Sequence, residues 1–98
     1  MVRRLGLVAG LLAGLILPGF FQPAAAEPPR RVLSMNLCTD QLAMMLAAPG
    51  QLVSVSYLAQ DPTASAMADQ AARLPVNHGL AEEIFLMRPD LVLAGAWS

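Results

Sequence analysis

The sequence predicts an α/β fold in which a parallel sheet carries helices on both faces. Three observations carry that prediction. Short apolar runs alternate with segments of helical spacing across residues 31–94. The apolar runs are continuous, as strands covered on both sides must be. Successive runs lie about 20 residues apart, the separation that a strand–helix–strand crossover requires.

Residues 31–35, Arg-Val-Leu-Ser-Met, form a short apolar run with β-branched Val32, and Asn36 marks its end, so this is the first strand. From Thr39 the pattern turns helical, with Leu42, Met45 and Leu46 on one face, Thr39 as the expected N-cap and Pro49-Gly50 as the stop. Residues 52–56, with Val53 and Val55, read as the second strand, and residues 57–62 as a loop. The alanine-rich residues 64–72 predict a weaker helix with few large side chains to anchor it. Pro75-Val76 predicts a brief extended segment. Residues 81–87 predict a helix with Ile84, Phe85 and Met87 turned inward, ended by Arg88-Pro89 because the residue before a proline avoids the helical region. Residues 91–94 predict the last strand.

The whole sequence has 98 residues, 56% of them hydrophobic and 13% charged, which predicts one domain at most. The apolar excess sits at the start. Arg3 and Arg4 precede an uncharged apolar run over residues 5–17, and Ala24-Ala25-Ala26 follow before Glu27. A positive n-region, a short apolar h-region and small residues at the cleavage point predict a secretory signal peptide over residues 1–26, cut after Ala26. As a helix the apolar run would rise about 20 Å, too short for a hydrocarbon core of roughly 30 Å. Arg3-Arg4 lacks the flanking residues of a twin-arginine signal, so general secretion is expected. Cys38 lies well past the cleavage point, so a lipid-modified N-terminus is not expected.

Residues 27–98 carry four arginines, no lysine and seven acidic residues, a net charge of −3. Nucleic-acid binding, which rests on clustered cations, is therefore not expected. A single cysteine excludes an internal disulfide. Asn-Leu-Cys-Thr-Asp after the first strand is neither a dinucleotide fingerprint nor a nucleotide-triphosphate loop. No cofactor is expected.

Ligands of open parallel sheets bind outside the carboxyl ends of the strands. Asn36, Leu37, Cys38 and Thr39 follow the first strand, Tyr57 the second, Asn77-His78-Gly79 the extended segment, and Gly95-Ala96-Trp97 the last. The only Tyr, Trp, His and Cys of residues 27–98 thus fall on one predicted edge. Tyr57 and Trp97 offer flat faces for stacking a bulky ligand. A lone His78 suits metal ligation or an anion, although without a second ligand at metal spacing no metal site is expected from this chain alone. Cys38 with His78 would be the nucleophile and base of a secreted thiol enzyme, but no orienting third group or oxyanion motif accompanies them. An enzyme is not expected. Glu82 and Glu83 fall in the first turn of a helix, where carboxylates favour the dipole, and an exposed acidic pair also suits a basic partner surface.

Residues 31–42, 52–56, 74–79 and 81–94 together resemble the opening of the periplasmic substrate-binding proteins of ABC importers of the iron-siderophore and cobalamin type. The most specific part is Glu82-x-Ile84 followed by Arg88-Pro-Asp-Leu-Val92. The resemblance implies a two-lobed binding protein of which residues 27–98 are the incomplete N-terminal lobe. It implies a metal-chelate or corrinoid ligand (ferric siderophore, haem or cobalamin), delivery to an inner-membrane ABC permease, a periplasmic address and a monomeric state. By resemblance, Asn36, Leu37, Cys38, Thr39, Tyr57 and Gly95 to Trp97 match cleft positions, and Glu82 matches the acidic position that meets permease arginines. Leu80 departs from the polar residue common at that helix start. A non-functional truncated fragment is the alternative expectation, and in either case uncovered apolar faces predict marginal stability or aggregation.

Overall fold

A computed structural model describes residue 19 and residues 26–96. Most of the expected signal peptide, and Trp97, lie outside the described residues. The elements run β1 (Val32–Ser34), α1 (Leu37–Leu46), β2 (Leu52–Ser56), a 3-10 turn (Tyr57–Gln60), α2 (Ala68–Ala71), β3 (Val76–Asn77), α3 (Ala81–Met87) and β4 (Leu91–Leu93). All strand pairs are parallel, and the sheet order is β3-β2-β1-β4. The fold is α/β, as the alternation of the sequence predicts. α1 packs against β1 and β2, and α2 against the 3-10 turn.

β1 is the centre of the sheet because its residues are small enough, and apolar enough, to be covered on every side. Val32, Leu33 and Ser34 are all buried. Val32 pairs with Leu52 on one flank and with Leu91 on the other, and Ser34 pairs with Leu93. The register against β2 shifts between Val32 and Leu33. The main core is thin: Val32, Ala43, Leu52, Val55, Ala59 and Ala71, with Leu37, Met44, Ala47, Leu74, Val76 and Leu93 packed against it. The last crossover is shorter than the spacing predicted, β3 beginning at Val76 and β4 at Leu91, because seven-residue α3 and two tight turns suffice to span it.

α1 corrects the sequence prediction in two respects. Its N-cap is Asn36, not Thr39: the Asn36 side chain accepts from the Cys38 N–H at 3.0 Å, and the Asn36 carbonyl accepts from the Asp40 N–H at 2.8 Å. Asn36 has the short acceptor and extended backbone that a cap needs, so the helix starts three residues earlier. Thr39 instead turns its hydroxyl back to the Asn36 carbonyl at 3.0 Å and meets the Ser34 hydroxyl at 2.7 Å. The inward stripe is also different. Asp40 and Ala43 are buried, whereas Leu42 is 53% and Leu46 81% exposed and Met45 is exposed as well. Small Ala43 lets the helix approach β2 closely, and Asp40 is drawn in by hydrogen bonds to Ser56. The stop is as predicted, with Gly50 in the left-handed region at φ 79°.

The helix predicted over residues 64–72 is a single turn, Ala68–Ala71. Polar side chains ahead of it take backbone groups that a longer helix would use. Asp61 accepts from the Thr63 N–H at 2.8 Å and its hydroxyl at 2.7 Å, and the Ser65 hydroxyl accepts from the Met67 N–H at 3.1 Å. α3 has the predicted bounds, but of the three residues expected to turn inward Phe85 is 80% exposed and only Ile84 and Met87 are half-buried. A seven-residue helix with no buried residue of its own has too little covered surface to take a third large side chain inward. α3 ends with Arg88 at φ 52°, ψ 54°, a left-handed cap that meets the constraint imposed by Pro89.

Candidate functional site

The carboxyl ends of the strands open into Met35-Asn36 after β1, Tyr57 after β2, His78 after β3 and Ala94-Gly95 after β4. The chain steps outward from β1 through β2 to β3 and then returns to the far side of β1, so the order reverses between β1 and β4. That reversal is where open α/β sheets leave a crevice for ligands. Asn36, Leu37, Cys38 and Thr39 stand at the β1 side of it and Gly95 at the β4 side; Met35 N–H donates to the Leu93 carbonyl at 2.9 Å between them. Cys38 is an exposed free thiol.

Tyr57 and His78 form a second group on the same edge, and their meeting follows from strand register. Ser56 lies opposite Asn77 in the parallel β2/β3 pair, so the next residue of each strand emerges beside the other. The two rings stack with centroids 5.2 Å apart and planes at 24°. His78 is then fixed from its other side. Its backbone N–H donates to Glu83 Oε2 at 2.7 Å, and its Nδ1 lies 3.1 Å from Glu83 Oε1. The His78 N–H, more than any other group, holds the Glu83 carboxyl below the usual carboxylate range, and the imidazole adds to this. Glu83 also answers for the missing cap of α3, since Leu80 has no side chain able to accept a hydrogen bond. Glu82 is exposed in the first turn, so the two acidic residues read as a pair have different surroundings.

Two buried polar side chains hold this edge in shape; the sequence places Asn77 only in the loop after the extended segment and gives Asp40 no role. Asn77 is fully buried, and its Nδ2 donates to the Ser34 carbonyl at 2.8 Å, Ser54 Oγ at 2.9 Å and the Val55 carbonyl at 3.1 Å. Its Oδ1 accepts from the Gly79 N–H at 3.2 Å, shaping the turn that presents His78. Asp40, equally buried, accepts from the Ser56 N–H and hydroxyl at 3.1 and 2.5 Å, tying α1 to the end of β2 just before Tyr57. Gly79 sits at φ 73°, where only a residue without Cβ is unstrained. A Cβ added there would lie 3.7 Å from Met35 Cε, so the β1 and β3 exits are close to one another.

The structure thus brings Tyr57, His78 and Glu83 together, and Asn36, Cys38 and Thr39 together, on one edge. Cys38 and His78 share no hydrogen bond among the described residues; the His78 Nδ1 is engaged by Glu83 instead. Among the described residues no group of three or more His, Cys, Asp or Glu side chains is placed to hold a metal ion. Away from the His78 cluster, an open apolar groove of about 330 Å³ runs beside α1, lined by Val32, Leu42, Leu46, Leu91 and Leu93 among others. Comparison with family models, curated proteins and solved structures finds no match in any of the three.

Proposed function

We propose that residues 27–98 are the ligand-facing N-terminal lobe of a periplasmic solute-binding protein that delivers a metal chelate or corrinoid to an inner-membrane ABC permease. The observation that carries this reading is the exposed Tyr57–His78 stack, set with Asn36, Cys38 and Thr39 on the carboxyl edge of a parallel sheet. A flat aromatic pair beside polar side chains suits a large, partly apolar ligand that must be held without chemistry being done on it. The motif resemblance over residues 81–94 and the secretory pattern of residues 1–26 support the same reading from the sequence. In it, exposed Glu82 meets the basic surface of the permease, while Glu83 serves the ligand edge through His78. In this reading the working two-lobed binding protein is a monomer, with no nucleic acid and no catalytic step.

Calorimetric titration of the chain with cyanocobalamin, haemin and a ferric trihydroxamate tests the proposal. Saturable binding of one of the three is expected. Absence of saturable binding to all three removes the reading.

A further inference from the structure

The Glu83–His78–Tyr57 cluster holds an imidazole in one tautomer, in one plane, with one nitrogen unused. An ionised carboxylate can only accept hydrogen bonds, so the His78 nitrogen facing Glu83 Oε1, Nδ1, carries the proton. In the neutral ring Nε2 then bears the lone pair. The backbone bond from His78 N–H to Glu83 Oε2 and the stack on Tyr57 restrain the ring further. Nε2 has no hydrogen-bond partner among the described residues, and the His78 side chain is 57% exposed. A carboxylate on one ring nitrogen is the arrangement that orients metal-ligating histidines and raises their basicity.

The same surroundings define what kind of metal suits this nitrogen. A bare divalent ion needs several protein ligands, and no such group is assembled among the described residues. A single pre-oriented imidazole fits a metal whose other positions are already filled by a chelator. We propose that His78 Nε2 is an axial ligand for a chelated metal centre with one exchangeable coordination position, the Tyr57 face flanking the chelate. The proposal rests on the solute-binding reading above and narrows its ligand class. It favours a macrocyclic complex carrying an exchangeable axial water over a hexadentate ferric chelate, whose positions are all taken. In the step itself, Nε2 donates its lone pair to the metal as the bound water leaves. No electron is transferred and no covalent bond within the chelate is broken.

The test is a visible-spectrum titration of the chain with aquacobalamin and with haemin, run beside cyanocobalamin and a ferric trihydroxamate as blocked controls, with affinities followed in parallel by calorimetry. The expected result is a ligand-exchange band shift with aquacobalamin or haemin, whichever of the two the chain accepts, and none with either control. His78→Ala is expected to abolish the shift and weaken binding of that ligand at least tenfold. Glu83→Gln is expected to keep the shift while weakening binding by about tenfold or more, the usual effect of altering a partner that orients a ligating histidine. The comparison between aquacobalamin and cyanocobalamin needs no variant, and far-ultraviolet circular dichroism checks that each variant is folded. Equal binding of the two corrinoids with no spectral change, or a shift that survives in His78→Ala, overturns the ligation and leaves the solute-binding reading standing. Failure of all four compounds to bind removes that reading, and the ligation with it.

Discussion

Asn77 is the side chain on which the shape of the candidate edge depends most. It satisfies acceptors on β1 and β2 at once and receives the N–H of Gly79, so removing its amide strands several buried polar groups together. A buried group left without its partner costs about 1–3 kcal/mol. Asn77→Ala is therefore expected to lower stability by at least about 2 kcal/mol, read as a reduced urea midpoint with a nearly unchanged slope. An unchanged midpoint would mean that the amide is not integral to the fold. The sequence made Tyr57 and His78 legible because their chemistry is rare in this chain and both follow strand signals. It did not expose Asn77 or Asp40, since the burial of a polar residue depends on strand register and helix rotation. A signal was available for Asp40: Leu37, Asp40, Ala43 or Met44, and Ala47 follow helical spacing, and that stripe, not the more hydrophobic Leu42-Met45-Leu46 set, is the one turned inward.

Local pattern located every strand, but helix extents and faces were fixed by competition between neighbours. β2 and α3 have their predicted bounds because each is closed by an unambiguous change of pattern, Pro49-Gly50 before β2 and Arg88-Pro89 after α3. α2 shrank because propensity alone cannot hold a helix whose preceding side chains already bind its backbone. α3 itself is under-capped. Leu80 occupies the N-cap with extended backbone at φ −83°, ψ 135°, and its side chain is exposed, so little packing depends on it. Leu80→Ser would complete a capping box with Glu83 and is expected to raise stability by about 1 kcal/mol in thermal or urea unfolding. The far end of α3 is clasped by the segment before β1. Arg31 donates through Nε to the Arg88 carbonyl at 3.1 Å and through a terminal nitrogen to the Met87 carbonyl at 2.6 Å. Asp90 accepts from the backbone N–H groups of Arg30 and Arg31 at 2.9 and 2.8 Å, which hold its carboxyl below the usual carboxylate range. A carboxyl depressed in the folded state contributes stability that is complete above its unfolded pKa and is lost as pH falls through the folded one. Stability is thus expected to decline on acidification through and below the usual carboxylate range. Asp90→Asn should be less stable at neutral pH and show a shallower decline, measured as urea midpoints across that range. Parallel curves for the two proteins would exclude Asp90 as a source of the pH dependence.

At the scale of the whole molecule, the strands bury Leu33 and Leu52, but the helical segments bury small side chains and leave large ones outside. Ala43, Ala59 and Ala71 are in the core, whereas Leu46 and Phe85 are each about four-fifths exposed. This inversion is the reason that the helical faces were misread, because hydrophobicity alone assigns the largest apolar residues to the interior. It also explains the open groove between α1 and β4, whose walls include Leu42, Leu46, Leu91 and Leu93. Scattered apolar residues are ordinary on a protein surface, but a contiguous set beside an edge strand favours association between molecules. Concentration-dependent self-association of the chain is therefore expected in light scattering. Exposed Leu46 contributes to the groove wall without being part of the core cluster, so changing it separates surface stickiness from folding. Leu46→Gln is expected to reduce association while shifting stability by no more than about 0.5 kcal/mol, the usual range for surface substitutions. If the variant instead unfolds at a much lower urea concentration, Leu46 is covered in the working molecule and its exposure here is not the state that matters. If association is unchanged with stability intact, the groove is not the adhesive surface, and Phe85 with Leu86 on α3, a more exposed apolar pair, becomes the face to alter next.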